Sequence, residues 1–332
     1  MNENKWGNIM KYGSINGVNK PASRIVFGTA YAALVSGDQE PEEFGALIET
    51  AIDTGINTID TAKQYGAAQD TVGAWLAHYR QRDQLVIETK GCHPSEDGTS
   101  RVTEEDLSND LLESLDKLHT SYVDVYLLHR DDPSVPAGDI VEWLNAQHRA
   151  GRIHAFGGSN WTPKRIQEAN DYAAAHDLIP FAVSSPNYSL AVQEDNPWMG
   201  DCSTLNGASM AEDRAWYRAN QLPMFAYSVL GRGFMTGMFA SDDLDTAEQR
   251  LDEAARKGYC YPDNFERLRR AEILAARKSA SVAQIAIAWV LSQDLNVYAL
   301  LSCTSPAIIA SNVGALAVDL TPEEMRWLNL EE

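Results

Sequence analysis

Four titratable residues follow apolar runs of this chain, where an acid–base reaction could use them. Asp60 and Tyr65 lie in the string NTIDTAKQYG, Lys90 ends the string VIETK, and His129 ends the string VDVYLLH. Reduction of a carbonyl needs a hydride on carbon and a proton on oxygen. A free tyrosine has a pKa of about 10, and a neighbouring lysine ammonium makes it a better acid–base group. An aspartate would fix that lysine, and a neutral histidine would orient the carbonyl.

Each of these residues also has an ordinary structural interpretation. Taken alone, Asp60 is a loop hydrogen-bonding residue and Tyr65 is half-buried core. Lys90 alone is a solvated strand end, and His129 alone is a core histidine with satisfied hydrogen bonds. Four titratable groups on three successive strands converge only if they share a function or a buried ion network. Whether these four side chains lie close together depends on the strands and loops that carry them.

The apolar runs alternate with helical patterns along the whole chain. The predicted strands are residues 24–27, 57–60, 84–90, 123–129, 153–159, 181–184, 223–227 and 297–301. Eight strands alternating with helices, with no leading G-x-G-x-x-G, predict one (β/α)₈ TIM barrel over residues 1–332. Asn16-Gly17 predicts an N-terminal β-hairpin within residues 10–24, and long loops follow strands six and seven. In such barrels the chemistry lies where strands end, so the strand-end residues should form one set.

Composition excludes several classes of function. The 332 residues carry a net charge of −20 and no basic patch, so neither nucleic acid nor an anionic membrane surface is an expected partner. The four cysteines form no C-x-x-C pair, which indicates neither a zinc site nor a disulfide framework, and no metal is expected. Residues 1–13 have no apolar leader region, and no apolar run is long enough to span a membrane. We therefore expect a cytoplasmic protein.

Asp60, Tyr65, Lys90 and His129 resemble the Asp-Tyr-Lys-His tetrad of the aldo-keto reductase superfamily. The resemblance covers about residues 10–330 and extends to the strings GTAY, GRIHAFGGSN, FAYSVLGRG, QIAIAWVL and SNVGAL. It implies a barrel that binds a nicotinamide cofactor across its C-terminal mouth. Tyr65 would then be the general acid in reduction and the base in oxidation, tuned by Lys90 and Asp60, while His129 orients the carbonyl.

The same resemblance implies the cofactor contacts. Ser159 and Asn160 would bind the nicotinamide carboxamide, and Tyr227 would stack on the ring. Backbone amides near the pyrophosphate and groups at the adenosine end complete the expected site, whose remaining members are Gly28, Thr29, Ser185, Ser228, Leu230, Gly231, Arg232, Ser302, Thr304, Ser305 and Asn312.

The chain departs from the family pattern in three places. Ser185 stands where the family usually has glutamine, and Leu301-Ser302-Cys303 stands where it often has I-P-G. NADPH-preferring members place an arginine four residues before the matching asparagine, and here Ile308 precedes Asn312 at that spacing. A 2′-phosphate is normally held by arginine or lysine. The sequence therefore favours NAD(H), with NADP(H) as the alternative if Arg232 compensates.

The loops after the strands predict the substrate pocket. Its expected lining is Tyr31, His93, Arg130, Trp161 and Trp198. Aromatic rings with a few polar groups suit a sugar or another polyol better than a large steroid, so the expected substrate is a small carbonyl compound or a sugar. Residues 193–207 are longer than a bare connection, and we expect this loop to cover the substrate.

Three functions remain open from the sequence. The first is an NAD(P)-dependent oxidoreductase that interconverts a carbonyl and an alcohol. The second is a redox-neutral sugar epimerase, in which tightly bound NAD oxidises a hydroxyl and returns the hydride to the other face. The third is a non-catalytic subunit that senses the cofactor, which the complete tetrad disfavours. The sequence does not give the oligomeric state.

Overall fold

The computed structural model describes residues 9–198 and 202–331. Eight parallel strands close into a barrel in the order β10-β3-β4-β5-β6-β7-β8-β9, which confirms the predicted (β/α)₈ TIM barrel. The barrel strands are β3 (Ile25–Gly28), β4 (Thr58–Asp60), β5 (Val86–Gly91), β6 (Val123–Leu128), β7 (Ile153–Ser159), β8 (Val183–Ser185), β9 (Met224–Ala226) and β10 (Val297–Ser302). Part of the segment expected to lack a leader, residues 1–8, lies outside the described residues.

Thirteen α-helices lie in the part of the chain that the structure describes, and most of them pack around the barrel. They are α1 (Ala32–Ser36), α2 (Pro41–Asp53), α3 (Ala68–Leu76), α4 (Glu104–Lys117), α5 (Ala137–Arg149), α6 (Pro163–Ala175), α7 (Ala211–Asn220), α8 (Leu244–Arg250), α9 (Glu253–Tyr259), α10 (Pro262–Lys278), α11 (Val282–Leu291), α12 (Pro306–Gly314) and α13 (Pro322–Leu328). Their starts follow local chemistry. Thr103 caps α4 through the amide of Asp106, and Ser281 forms a full capping box with Gln284 on α11.

Two apolar layers hold the barrel together. The larger lies between the strands and the helices, where the helical spacing of Phe44, Leu47 and Ile48 buries one face of α2. The smaller fills the barrel interior with side chains such as Val125 and Phe225. Strands buried on both faces read as continuous apolar runs. A polar residue that points inward from such a strand is therefore a marked exception.

The predicted N-terminal hairpin closes the bottom of the barrel. Strands β1 (Tyr12–Gly13) and β2 (Ala22–Ser23) pair antiparallel. Between them Ile15 and Val18 insert into the interior layer. Gly17 adopts φ +89°, and a Cβ there would lie 2.5 Å from the carbonyl oxygen of His154, so the turn requires glycine.

Element boundaries differ from the prediction mainly in the last third of the chain. The apolar spacing of the sequence predicts a helix only over residues 271–277, but α10 begins at Pro262, because its first turns carry many charged residues that mask the helical period. The stretch 230–250 was expected to be a loop, but it contains a short 3₁₀ turn (Gly231–Gly233) and α8. In the described residues no single helix is long and apolar enough to cross a membrane. Only α10 and α11 taken together, bent by 100°, have the necessary length and composition.

Candidate active site

The C-terminal ends of the strands surround one cavity of about 970 Å³. All four residues of the expected tetrad line it, together with most of the expected cofactor residues. The cofactor residues in its wall are Gly28, Ser159, Asn160, Ser185, Tyr227, Ser228, Leu230, Arg232, Ser302, Thr304 and Asn312. The barrel thus brings together side chains from strands that lie far apart in the sequence.

Lys90 and Asp60 form a buried ion pair at the centre of the cavity floor. Asp60 is the last residue of β4, and the Lys90 Nζ of the neighbouring strand β5 contacts its carboxylate. The same Nζ lies 3.2 Å from the carbonyl oxygen of Thr61, to which it donates. Burial alone would lower the pKa of Lys90, but the charges of Asp60 and Glu88 raise it well above its ordinary value. Lys90 is therefore a cation throughout the physiological pH range.

Tyr65 lies above this ion pair. Its half-buried ring centroid is 5.3 Å from the Lys90 Nζ. The loop that carries it turns at Gly66, which adopts φ +54° and packs against the Val35 carbonyl. Burial raises the pKa of Tyr65, and the Lys90 charge opposes this rise. The phenol is thus protonated at neutral pH, and the lysine stabilises the tyrosinate that forms when the proton leaves.

His129 is a buried neutral base beside Tyr65. The two rings meet edge to face with centroids 5.8 Å apart. Burial, followed by the charges of Lys90 and Arg130, holds the pKa of His129 well below its usual range. Its Nδ1 has no hydrogen-bond partner among the described residues. A neutral imidazole in this position can donate one hydrogen bond to a carbonyl oxygen in the cavity.

The sequence interpretation missed Glu88. Its carboxylate is fully buried in the barrel, with Oε1 3.0 Å from the Lys90 Nζ. Burial raises the pKa of Glu88 well above its ordinary value, and the nearby Asp60 charge raises it further despite the opposing charge of Lys90. The signal was present in VIETK, because alternation along β5 puts residues 88 and 90 on the same inward face.

The expected carboxamide-binding residues form one connected group. The Tyr227 hydroxyl donates to Asn160 Oδ1 at 2.7 Å, and Asn160 Nδ2 donates to the His129 carbonyl at 3.3 Å. Asn160 adopts φ +62°, which turns its side chain back over the strand ends. The Ser185 hydroxyl donates to the Phe225 carbonyl at 2.8 Å. Ser185 therefore reaches less far into the cavity than the glutamine of the family pattern would.

The segment after β9 has the backbone of an anion site. Ser228, Gly231, Arg232 and Gly233 all have positive φ, and successive amides in such turns form concavities that bind phosphate. The Arg232 guanidinium lies 4.4 Å from the Trp198 ring centroid and forms an ion pair with Asp252. These contacts hold the segment against the loop that follows β8.

The adenosine end of the cavity contains no cation in the segment 300–312. Ile308 is exposed and lines the cavity where the family pattern has arginine. Asn312 Nδ2 donates to the Ser302 carbonyl at 3.3 Å. Segment 300–312 therefore contributes no positively charged side chain to the cavity wall.

Three expected cofactor residues lie behind the wall rather than in it. Thr29 is buried, and its hydroxyl donates to the Asp60 carbonyl at 2.9 Å. Ser305 caps α12 by accepting from the Ile308 amide. Gly231 is buried in the turn after β9, where its amide donates to the Ser228 carbonyl at 2.7 Å. Their side chains or Cα atoms position neighbours that do line the cavity.

The expected substrate pocket is only partly correct. His93, Arg130 and Trp198 line the cavity, and His93 packs against His129 with ring centroids 4.8 Å apart. The prediction for Trp161 is wrong, because its ring is fully buried against Phe181, 4.9 Å away, below the strand ends.

Tyr31 is not among the residues that line this cavity, and its hydroxyl donates to Gln39 at 2.6 Å, so its role in substrate binding stays a prediction. The loop 193–207 contributes Trp198 to the wall. Its residues 199–201 lie outside the described part of the chain, so its role as a cover stays a prediction.

Comparisons with known proteins find similar sequences and a similar fold. The Aldo/keto reductase family matches residues 24–329. Aldo-keto reductase YhdN of Bacillus subtilis (strain 168) is 27% identical, over 96% of this chain and 93% of that protein. A probable voltage-gated potassium channel subunit beta of Oryza sativa subsp. japonica is 26% identical, over 95% and 94% of the two chains. The thermostable aldo-keto reductase Tm1743, solved with the inhibitor epalrestat, has a TM-score of 0.69, 23% identity, and coverage of 97% and 100%.

Proposed function

The chain belongs to the aldo/keto reductase family, and from this premise we propose that it interconverts a carbonyl compound or sugar and the corresponding alcohol with a nicotinamide coenzyme. One observation carries the proposal above all. A phenol, a neutral imidazole and a buried Lys90–Asp60 ion pair converge on the floor of a cavity large enough for coenzyme and substrate.

The residues divide the work of the reduction among themselves. A bound nicotinamide supplies the hydride to the carbonyl carbon. His129 donates a hydrogen bond to the carbonyl oxygen and orients it. Tyr65 donates the proton to that oxygen, and Lys90 stabilises the tyrosinate that is left. In the oxidation of an alcohol the tyrosinate accepts the proton again.

The residues of the mouth fit a dinucleotide. The Asn160–Tyr227 pair suits a carboxamide and a stacked ring, and the turn after β9 suits a pyrophosphate. We propose NAD(H) as the coenzyme because none of the described residues at the adenosine end, where Ile308 and Ser311 line the cavity, is a cation. NADP(H) is the alternative. It would need Arg232 to exchange its partner Asp252 for the 2′-phosphate.

Two other functions compete with this proposal. A sugar epimerase would use the same residues but retain its coenzyme through purification and form product without net NADH. A regulatory subunit is the function that the name of the rice relative suggests for that protein. A subunit that only senses a coenzyme needs no proton donor. The Lys90 charge beneath Tyr65 therefore favours the enzyme.

The test is an activity screen of the purified protein against aldehydes, aldoses and polyols, with NAD(H) and NADP(H) side by side. Tyr65→Phe should lower kcat by about 10²- to 10⁴-fold while coenzyme binding, followed by fluorescence, is retained. Tyr261→Phe is the matched control, because the Tyr261 hydroxyl donates to the Lys257 carbonyl at the surface. Full turnover by Tyr65→Phe would overturn the mechanism.

A further inference from the structure

A buried arginine without an acidic partner lies in the wall of the cavity. Arg130 directly follows His129, and only 8% of it is exposed. Its Nη1 donates to the His129 carbonyl at 2.8 Å, while its Nε is buried and has no hydrogen-bond partner among the residues that the structure describes. Within residues 9–198 and 202–331 no carboxylate forms an ion pair with this guanidinium.

Arg165 and Arg82 have the carboxylate partner that Arg130 lacks among the described residues. Arg165 is equally buried, and its Nε lies 3.1 Å from the Asp131 carboxylate. The partly exposed Arg82 also has a carboxylate partner, with its Nη1 2.9 Å from Asp124. Arg267 also lacks an ion pair at close range, but it lies outside the cavity and faces the charges of Asp263 and Glu194. An unpaired buried charge costs several kcal/mol, so a partner that arrives with the ligand is the simplest compensation.

The surroundings of Arg130 assign that partner to the substrate rather than to the coenzyme phosphates. The guanidinium lies at the end of β6, beside His129 and near His93. Burial lowers the pKa of His93, and the charge of Arg130 lowers it further. The turn expected to bind the pyrophosphate follows β9, on the other side of β7 and β8 in the barrel order. Trp198 lines the same cavity and has a buried indole Nε1 without a hydrogen-bond partner.

The chemistry of the guanidinium favours one kind of anion. With Nη1 engaged and Nε buried, Nη2 is the donor that remains for a ligand in the cavity, and a carboxylate oxygen accepts a strong hydrogen bond from a charged donor of this kind. A single cation balances a monoanion, whereas a phosphate dianion would leave a charge uncompensated. A chain of net charge −20 repels anions in general, so a carboxylated substrate needs such a dedicated cation.

We propose that Arg130 binds a carboxylate of the substrate, and that the physiological substrate is an oxo acid, a uronic acid or the corresponding hydroxy acid rather than a neutral sugar. This inference rests on the proposed oxidoreductase function and names the substrate class for the same site. Arg130 becomes a specificity-determining residue next to the catalytic His129.

The test compares pairs of substrates that differ at one carboxylate: 4-oxobutanoate with its methyl ester, and glucuronate with glucose. The wild-type kcat/KM should favour the acid of the better pair by about 10- to 100-fold, the contribution expected from hydrogen bonds between charged groups. In Arg130→Met this ratio should fall to about one or below, whatever the absolute rates, and Arg130→Lys should restore part of it. Arg326→Met removes an equal charge from the exposed face of α13 and should keep the wild-type ratio.

Two results would overturn the inference. One is a wild-type preference for the neutral partner of both pairs. The other is a ratio that Arg130→Met leaves intact while it weakens coenzyme binding, which would assign Arg130 to the coenzyme. If no aldehyde, sugar or alcohol turns over, the proposed function fails. Binding of 4-hydroxybutanoate to the protein with coenzyme then decides the anion site, because it must depend on Arg130 and must exceed binding of the methyl ester.

Discussion

At the bottom of the barrel one buried carboxylate faces two cations, whereas at the mouth two buried carboxylates face one. Asp124 lies 2.7 Å from the Lys20 Nζ and 2.9 Å from the Arg82 Nη1, and it also accepts from the Ile87 amide. At the other end of the same sheet, Asp60 and Glu88 share Lys90. The bottom is closed by the hairpin, and the mouth opens into the cavity.

Buried charges have different roles at the two ends. At the bottom they stabilise the fold, and at the mouth they lie beside the proposed reacting groups. The bottom carboxylate, with two cations and an amide donor around it, holds the hairpin to the barrel. At the mouth, burial raises the pKa of Glu88, and the charge of Asp60 raises it further against the opposing charge of Lys90, so Glu88 binds a proton more readily. At the mouth, an ion network with more carboxylates than cations therefore lies directly beneath Tyr65, the proposed proton donor. Three substitutions test this contrast, from the largest expected effect to the smallest.

Lys90→Met should have the largest effect, because it leaves Asp60 and Glu88 buried without a cation. We expect the free energy of unfolding to fall by about 3–5 kcal/mol at neutral pH and kcat to fall by about 10²- to 10⁴-fold. The loss of stability should shrink as the pH falls, because Glu88, whose pKa burial raises, then binds a proton. Urea unfolding at several pH values measures the first effect and steady-state kinetics the second.

Lys117→Met is the control for Lys90→Met, since Lys117 is partly exposed and bridges only surface carboxylates. It should change the free energy of unfolding by no more than about 1 kcal/mol. If Lys90→Met were as stable as this control at neutral pH, the mouth carboxylates would not depend on Lys90 for their charge balance.

Asp124→Asn should separate the two ends. It leaves Lys20 and Arg82 without their carboxylate and weakens the attachment of the hairpin, so the free energy of unfolding should fall by about 2–4 kcal/mol. Because Asp124 lies at the far end of the barrel, kcat below the new melting temperature should stay at the wild-type value. A loss of kcat equal to that of Lys90→Met would show that the two ends are coupled.

The sequence predicted well those features that follow from strand order and alternation. Asp60, Lys90 and His129 end successive strands of a closed barrel, so the topology alone brings them to one mouth. Trp161 shows the limit of this argument, because an aromatic residue at a strand end can line the pocket or fold back. Gly158 leaves room for its ring, and Arg165 stacks on it with the guanidinium 5.4 Å from the ring centroid. Such tertiary contacts are not visible in local spacing.

Glu88 shows a different limit. Its inward direction follows from alternation along β5, but its meaning depends on how many cations reach it across the barrel. The sequence cannot give that number, because the charges on other strands, such as Asp60, reach Glu88 only after the barrel closes. The balance between carboxylates and cations at the mouth therefore depends on the closed barrel and has to be measured.

Glu88→Gln tests this balance with the smallest expected effect. The folded-state pKa of Glu88 is raised above its unfolded value, so its neutral form stabilises the fold below the unfolded pKa. That stability is lost as the pH rises through the folded pKa. Glutamine has nearly the same shape and stays neutral, so it does not lose this stability. The free energy of unfolding of the variant should equal that of the wild type near pH 4 and exceed it by about 1–2 kcal/mol at higher pH. Urea unfolding across that range measures the difference. If the wild type instead gained on the variant with rising pH, Glu88 would be a stabilising ionised partner of Lys90. The mouth would then be as fully balanced as the bottom.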